Sequence, residues 1–347
     1  MNEITINIGK RAVGDRKPCF VIAEIGSNHN QSLELAFEHI DAAAEAGADA
    51  VKFQTFRASE HYSRYTPGFS YLNNRDTWSL IRSLELKREW HVLLKERAEM
   101  RGVEFFSSPC DAEAIDELAS LGVCAYKVAS FDLPDTELVA RMARVGKPVI
   151  LSTGMADVAD IQAGVAACRG VGNEQVVLLQ CTSLYPAPAA LSNLAAMCTM
   201  RKTFGVLTGY SDHTIGDHIP LAAAALGACV IEKHFTLNRT LPGPDHPFGM
   251  EPAELKEMVR KLRDIEVAHG DGVKDGPRAE EREMYQKGRR SLHAARNIRA
   301  GQEISAADLV VKRPGLGLSP RERTQVIGRT ARADISADQW ITWDLLV

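Results

Sequence analysis

Two histidines in this sequence have the surroundings expected of metal ligands. His213 lies in the segment GYSDHT (209–214) and His234 in VIEKHF (230–235). Each follows an apolar run that predicts a β-strand, and the two strands are consecutive. In a closed parallel barrel the carboxyl ends of all strands meet at one mouth, where active sites lie. Two neutral imidazoles there could share a divalent metal and leave positions open for substrate, whereas a single histidine is more often structural.

A second set of residues at predicted strand ends is suited to holding an anion. Its members are lysines and serines: Lys52, Lys127, Ser130, Ser152 and Ser211. Ammonium and hydroxyl groups bind phosphate and carboxylate. A lysine in a strand often reaches out to solvent instead. Inside a barrel, however, two lysines would be buried charges without partners unless an anion were bound. We therefore expect an anionic ligand.

Other polar residues at the same strand ends suit a hydroxylated substrate. Glu24, Tyr185 and Asp245 are acceptors or proton carriers. Gln54 shares a strand face with Lys52, because alternate residues of a strand point the same way. Glu232 has two interpretations: it supports the metal ligand His234, or it forms a salt bridge with its neighbour Lys233.

The elements that position these residues form a repeating strand–helix pattern. Apolar runs predict eight strands, at residues 19–26, 50–56, 104–109, 125–130, 148–154, 176–183, 205–212 and 229–237. Continuous apolar runs are typical of strands buried on both faces. Helices are predicted between them, including 33–46 and 252–269. Eight such repeats favour a TIM barrel over an open doubly wound sheet, since no Gly-x-Gly-x-x-Gly follows the first strand.

The repeating pattern ends before the chain does. We expect a barrel domain at residues 1–275, a polar linker at 276–288, and a small β-rich domain at 289–347. The last segment carries ten Lys/Arg against six Asp/Glu. A domain this small is marginal alone, so we expect it to dock.

Composition excludes several classes of protein. The chain has 347 residues, is 45% hydrophobic and carries a net charge of −4, which gives no reason to expect nucleic acid or a membrane as partner. No apolar run reaches the roughly 18 residues that span a bilayer. Seven cysteines, an odd number without C-x-x-C spacing, fit a reducing cytoplasm.

Motifs in order along nearly the whole chain resemble those of the bacterial sialic acid synthase family, the nonulosonic acid synthases. They are IAEIG (22–26), ADAVKFQT (48–55), YK (126–127), LSTGM (151–155), SDH (211–213), EKHFT (232–236), PGPD (242–245), RRSL (289–292) and KRPG (312–315). The resemblance implies a TIM barrel joined to a C-terminal antifreeze-like (SAF) domain.

The resemblance also implies an activity. Phosphoenolpyruvate would condense with an N-acylated hexosamine, with N-acetylmannosamine as first choice, to give a nine-carbon 2-keto acid (N-acetylneuraminate) and phosphate. A divalent ion, Mn²⁺ in preference to Mg²⁺ or Co²⁺, would bind His213 and His234. It would polarise the sugar aldehyde.

The family's binding residues map onto this sequence by motif. Matches to the phosphoenolpyruvate cradle are Lys52, Lys127, Ser130, Ser152 and Ser211. Matches to residues that hold or protonate the sugar are Glu24, Gln54, Tyr185 and Asp245, so Glu24, His234 and Asp245 are the candidate catalytic residues. In the family a C-terminal domain swapped across a homodimer brings the arginine matching Arg313 to the partner's N-acyl group.

Departures from the family pattern leave the sugar open. Asp132 and Ser183, both candidate substrate contacts, stand where relatives often carry Glu and Asn. Cys110 replaces a Phe, and PFGM (247–250) replaces a segment that usually holds a serine. A legionaminic or pseudaminic acid synthase using a 2,4-diacetamido-6-deoxyhexose is therefore an alternative. A Schiff-base aldolase using Lys52 or Lys127, and a carbohydrate- or ice-binding protein, are further alternatives.

Overall fold

The barrel is preceded by a short antiparallel hairpin that the sequence pattern did not predict. The structure is a computed structural model that describes residues 3–69 and 76–347. The hairpin pairs β1 (Thr5–Ile8) with β2 (Arg11–Gly14). It contributes Ile8 and Val13 to the main hydrophobic core. Strands of four residues are too short for their periodicity to stand out from the sequence.

Eight parallel strands form a nearly closed barrel. They are β3 (Phe20–Gly26), β4 (Ala50–Thr55), β5 (Glu104–Pro109), β6 (Tyr126–Val128), β7 (Val149–Ser152), β8 (Val176–Cys181), β9 (Leu207–Asp212) and β10 (Val230–His234). The hydrogen-bonded order is β5-β4-β3-β10-β9-β8-β7-β6, so the first barrel strand pairs with the last. The predicted TIM-barrel fold and all eight of its strands are confirmed.

Helices follow the barrel strands along the chain and complete the strand–helix repeat. They are α1 (Leu33–Glu45), α2 (Ala58–His61), α3 (Thr77–Ser83), α4 (Trp90–Arg101), α5 (Ala112–Leu121), α6 (Thr136–Arg144), α7 (Val158–Gly170), α8 (Ala195–Phe204), α9 (His218–Ala225) and α10 (Pro252–His269). Side chains of Ser32, Asp111, Asp135 and Asp157 accept hydrogen bonds from the first backbone amides of the helices that follow them. None of the helices in the described ranges combines the length and apolar composition that crossing a bilayer requires.

A second compact unit, Asp271–Val347, follows the first, Met1–Gly270. It contains α11 (Arg282–Gly288), β11 (Ser291–Ala294), β12 (Leu309–Lys312) and α12 (Arg323–Val326). A separate core of buried residues, including Leu292 and Ile341, holds it together. The division lies at the end of α10, earlier than the predicted boundary at 275. The segment predicted as a linker, 276–288, includes the helix α11.

Candidate active site

The carboxyl ends of neighbouring barrel strands bring most of the predicted site residues together. In the register of the sheet, Glu24 on β3 lies beside both His234 on β10 and Lys52 on β4. Ser211 on β9 lies beside Glu232 on β10. These side chains are all buried. The sheet thus gathers acid, base and hydroxyl groups from distant parts of the sequence.

Lys52 is buried between two carboxylates. Its Nζ lies 2.6 Å from Glu24 Oε2 and 3.8 Å from Glu232 Oε1, and it donates a hydrogen bond of 3.2 Å to Ser108 Oγ. Burial lowers the pKa of Lys52, but the charges of Glu232 and Glu24 outweigh it and the pKa is raised. The expectation that this lysine would lack a partner without a bound anion is therefore wrong.

The positive charge of Lys127 is less well compensated by nearby carboxylates than that of Lys52. Its Nζ donates to Ser152 Oγ at 2.7 Å and to the Val128 carbonyl at 3.0 Å, and Glu232 Oε1 lies 3.9 Å away. Burial is the main cause that lowers the pKa of Lys127. Among the site's cations, this lysine gains the most from an additional anion.

Glu232 faces the two lysines rather than its chain neighbour. It accepts a hydrogen bond of 3.2 Å from Ser211 Oγ. Lys233 points the other way and pairs with buried Asp212 at 2.5 Å. Asp212 also accepts hydrogen bonds from the backbone amide and hydroxyl of Thr214, which fixes the turn that carries His213. The salt-bridge interpretation of Glu232 with Lys233 is wrong, and Asp212 and Lys233 are positioning residues that sequence reasoning missed.

Two serine hydroxyls, those of Ser130 and Ser183, lie close to the backbone of Gly154. Ser130 Oγ accepts a hydrogen bond of 2.9 Å from the Gly154 amide. Ser183 Oγ is buried and has no hydrogen-bond partner among the described residues. A Cβ on Gly154 would lie 2.3 Å from Ser183 Oγ and 2.8 Å from Ser130 Oγ, so only glycine lets the backbone approach both hydroxyls. An unpartnered buried hydroxyl is a natural ligand contact.

The two histidines face each other. Their ring centroids are 5.3 Å apart, and the Tyr185 ring lies 4.2 Å from that of His213. His213 Nδ1 lies 2.7 Å from the Thr182 carbonyl and donates a hydrogen bond to it, so Nε2 is the nitrogen that could bind a metal. His234 Nδ1 is buried without a hydrogen-bond partner in the described part of the chain. Burial first, and then the charge of His213, put the pKa of His234 well below its usual value. The pair therefore fits a divalent cation.

Asp245 lies beside this pair. Its Oδ2 is 3.7 Å from His234 Nδ1, which is too long for a hydrogen bond. Burial, and then the nearby charge of Glu24, raise the pKa of Asp245 to about 6. On the other side of Glu24, Gln54 Nε2 donates to Glu24 Oε1 at 2.7 Å. A carboxyl group that titrates near neutrality is suited to proton transfer.

One cavity runs past these residues. Gln54, Tyr185, His234 and Asp245 line it, together with Asp132. Asp132 lies next to His61 and Cys110, which also line the cavity. His61 was missed by sequence reasoning because it belongs to no motif and lies in the short helix α2. Arg313 follows β12 in the second unit and is exposed; its predicted role stays a prediction.

Comparisons with known proteins identify the family of this chain. The NeuB family matches residues 39–274, and the SAF domain matches residues 289–347. An N,N'-diacetyllegionaminic acid synthase of Legionella pneumophila is 39% identical over 345 residues, covering 97% of both chains. A pseudaminic acid synthase of Helicobacter pylori is 35% identical, covering 94% of this chain and 98% of its own.

Solved structures agree as well. A crystal structure of N-acetylneuraminic acid (sialic acid) synthetase from Leptospira borgpetersenii, in complex with citrate, superposes with a TM-score of 0.74. It is 36% identical and covers 81% of this chain and 95% of that one. Family, relatives and fold all point the same way, and the chain belongs to the NeuB family and carries a SAF domain at its C-terminal end.

Proposed function

We propose that this protein condenses phosphoenolpyruvate with an N-acylated hexosamine, releasing phosphate and forming a nine-carbon 2-keto sugar acid. The observation that carries the proposal is the mouth of the barrel. There, two buried lysines and several hydroxyls lie beside two facing histidines. An anion-binding group next to a metal-binding pair matches a reaction between an anionic phosphate ester and a polarised carbonyl.

Phosphoenolpyruvate is proposed to bind where the cations and hydroxyls converge. Lys127 would be its main cation, because its charge is the least compensated of the two lysines. Lys52, Ser130, Ser152 and Ser211 would complete the cradle. Ser183, whose hydroxyl has no partner in the described residues, would add a hydrogen bond.

The acceptor sugar is proposed to enter along the cavity lined by Gln54, Tyr185 and Asp245. A divalent cation held by His213 and His234 would supply Lewis acidity toward the sugar aldehyde. Mn²⁺ is the proposed ion, since nitrogen and oxygen ligands with open positions accept Mn²⁺, Mg²⁺ or Co²⁺.

Glu24 and Asp245 are proposed to handle protons beside the aldehyde. Burial is the largest cause of the raised pKa of Glu24. The Lys52 ammonium lowers this pKa and the charge of Glu232 raises it, and the net shift is upward. Both carboxyl groups therefore hold a proton at higher pH than usual, which suits an acid that must protonate an oxygen near neutral pH.

Two acceptors remain in the proposal. N-acetylmannosamine is the acceptor expected from the sequence. A 2,4-diacetamido-6-deoxyhexose is favoured by the relatives named N,N'-diacetyllegionaminic acid synthases, from Legionella pneumophila and Campylobacter jejuni, at 39% and 38% identity. Apolar side chains at the cavity, including Leu80, Ile81 and Phe131, would suit the methyl groups of such a sugar.

A Schiff-base aldolase is the weaker alternative. An amine nucleophile must be deprotonated, and the carboxylates beside Lys52 raise its pKa instead. Of the two lysines only Lys127 has a lowered pKa, and the nearby charge of Glu232 opposes that shift. Borohydride should therefore trap no covalent adduct with an N-acyl aldose and pyruvate, and a trapped adduct at Lys127 would favour the aldolase.

The test is a panel of N-acyl aldoses with phosphoenolpyruvate, followed by phosphate release and product mass. One aldose should give stoichiometric phosphate and a 2-keto acid. Chelation should abolish turnover and Mn²⁺ should restore it. His213→Ala and His234→Ala should each be inactive with Mn²⁺ present, while keeping wild-type circular dichroism. A histidine variant that keeps wild-type activity after chelation would contradict the assignment of the metal ligands. The absence of phosphate release with every aldose would contradict the proposed function.

A further inference from the structure

Three side chains with different ligand chemistry meet at one end of the same cavity. Cys110 follows β5, Asp132 follows β6, and His61 ends the helix α2 that follows β4. These are three consecutive barrel strands, whose carboxyl ends converge on the mouth. Within the described residues this is the one group of three or more His, Cys, Asp or Glu side chains whose ligand atoms all lie within 4.8 Å of one another.

Two of the separations between the ligand groups are close to those around a tetrahedral ion. Cys110 Sγ lies 3.6 Å from Asp132 Oδ2, and His61 Nδ1 lies 3.8 Å from Asp132 Oδ1. Zinc bonds of about 2.0–2.3 Å at tetrahedral angles separate neighbouring ligand atoms by roughly 3.3–3.6 Å. The histidine–carboxylate separation is too long for a hydrogen bond. The Cys110 thiol donates a hydrogen bond to Asp132 Oδ2, and its proton would leave when the thiolate binds an ion.

The histidine ring is held in place by its aromatic neighbours. The His61 ring stacks on Phe56 with centroids 6.0 Å apart and an interplanar angle of 29°. Tyr62 contacts the ring edge-on at 4.9 Å. A ring fixed on two sides loses little freedom when it binds an ion, which reduces the entropic cost of binding.

The ligand set selects the ion. A thiolate, an imidazole and a carboxylate suit Zn²⁺ or Co²⁺, whereas Mn²⁺ and Mg²⁺ prefer oxygen. One thiolate and one carboxylate carry two negative charges, which a divalent cation neutralises. Three protein ligands leave a fourth position open, as in catalytic rather than structural zinc sites. Since all three residues line the cavity, that position faces it.

We propose that His61, Cys110 and Asp132 form a second divalent-cation site, selective for Zn²⁺ or Co²⁺ and separate from the histidine pair. Its open coordination position faces the cavity and accepts an oxygen ligand, from water or from a sugar. This site does not depend on the proposed function, because it is defined by ion binding without substrate.

The test uses Co²⁺ alone as the probe, added to the metal-free full-length protein. A cysteine ligand gives a thiolate-to-cobalt charge-transfer absorption that histidine and carboxylate ligands do not give. The wild-type protein should show this absorption, and one equivalent of Zn²⁺ should remove it. Cys110→Ser should abolish it, and His61→Gln and Asp132→Asn, which keep the thiol, should weaken Co²⁺ binding at least ~10-fold.

Two other cysteines supply the controls. Cys198 is exposed, and Cys198→Ser should leave the absorption unchanged. Cys181 Sγ lies 3.8 Å from His213 Nδ1, so an ion on the histidine pair could recruit this thiol instead. The absorption must therefore survive in Cys181→Ser and in a His213→Ala/His234→Ala double variant. Its absence from the wild type, its persistence in Cys110→Ser, or its loss in Cys181→Ser would each overturn the proposal.

Discussion

Single residues at the barrel mouth owe their properties to charges that neighbouring strands supply. Lys52, Glu24 and Glu232 come from three strands and form one buried group, with Lys127 at its edge. Buried ions are tolerated when they are paired, and removing one partner costs far more than the pair contributes. The two lysines are therefore expected to differ in how much stability they provide, although both face the proposed anion.

Replacing each lysine with methionine should separate these roles. Lys52→Met leaves two carboxylates without their nearest cation and should destabilise the fold by about 3–5 kcal/mol. Lys127→Met should have a much smaller effect on stability, because its ammonium is the less compensated charge. Both variants should lose about 30- to 1,000-fold in kcat/KM for phosphoenolpyruvate, for a lost contact worth about 2–4 kcal/mol.

Denaturant unfolding and steady-state kinetics, with the aldose saturating, would measure the two effects. Equal destabilisation by both substitutions would contradict the pairing of Lys52. A loss of apparent affinity for the sugar alone would contradict the assignment of either lysine to phosphoenolpyruvate.

Asp245 gives a prediction in which stability and activity move in opposite directions. Its pKa is raised to about 6 from a usual value of 3.8. A carboxyl group with a raised pKa favours the folded state below its unfolded pKa, and that contribution is lost as pH rises through the folded pKa. Asp245→Asn, which stays uncharged, should stabilise the metal-free protein by about 1–3 kcal/mol at pH 7.5, and its activity should fall sharply.

Thermal or urea unfolding of metal-free wild type and Asp245→Asn would measure this difference across the pH range. The gain should shrink as pH falls from about 6 toward 4 and be absent at about pH 3, below the unfolded pKa, where Asp245 is protonated in both states. A stability difference that does not change between pH 4 and 7.5 would show that the carboxyl is not perturbed as described.

The barrel strands hold the site in register through close backbone contacts. β9 carries Ser211 and leads to His213. At Gly209 this strand packs so closely against its neighbours that a side chain would not fit. A Cβ at Gly209 would lie 2.3 Å from the Val230 carbonyl oxygen and 2.8 Å from a Leu179 methyl carbon. The first of these atoms belongs to the backbone of β10 and cannot rotate away.

Gly209→Ala should therefore destabilise the barrel by about 1–3 kcal/mol and weaken metal binding, because β9 must move relative to β10. Gly170→Ala is the matched control. Gly170 ends α7, and a Cβ there meets no atom within 4 Å. The control should be neutral or slightly stabilising. Melting temperatures and Mn²⁺ affinities of the two variants test this, and equal values would mean that β9 accommodates the methyl group.

The protein consists of two compact units, and we expect Arg313 of the second unit to take part in binding the sugar. Arg313 is exposed in the second unit, and no carboxylate of the described residues pairs with it. Its planar guanidinium could bond a carbonyl oxygen with two hydrogen bonds and keep its charge. Following the resemblance of KRPG (312–315) to the family motif, we propose that Arg313 contacts the N-acyl group in the partner's site of a domain-swapped dimer.

Mixing inactive variants tests this exchange. Arg313→Ala and the His213→Ala/His234→Ala double variant should each have little activity alone. In a swapped heterodimer, one of the two sites receives both intact parts, so a randomly reassembled mixture should recover about a quarter of wild-type activity. Purification through two different affinity tags would isolate the heterodimer. Heterodimers without activity, or no dimers at all, would contradict the exchange.

The amino-acid sequence was sufficient to predict the barrel and most of the residues at its mouth. Apolar runs buried on both faces located all eight strands, and the polar residue after each run predicted what the mouth would contain. Helix 252–269 was predicted at its observed bounds, because Pro252 begins it and Gly270 ends it. These features depend on local periodicity, which a sequence carries directly.

Which side chains contact one another could not be predicted from the sequence and follows from the folded arrangement of the strands. The pairing of Lys52 with Glu232, and the turn of Lys233 toward Asp212, depend on the register between strands that lie far apart in the chain. The cluster of His61, Cys110 and Asp132 could not be recognised in the sequence, because its members follow three different strands and share no motif. Register and loop path are set by packing across the whole barrel, so no local pattern records them.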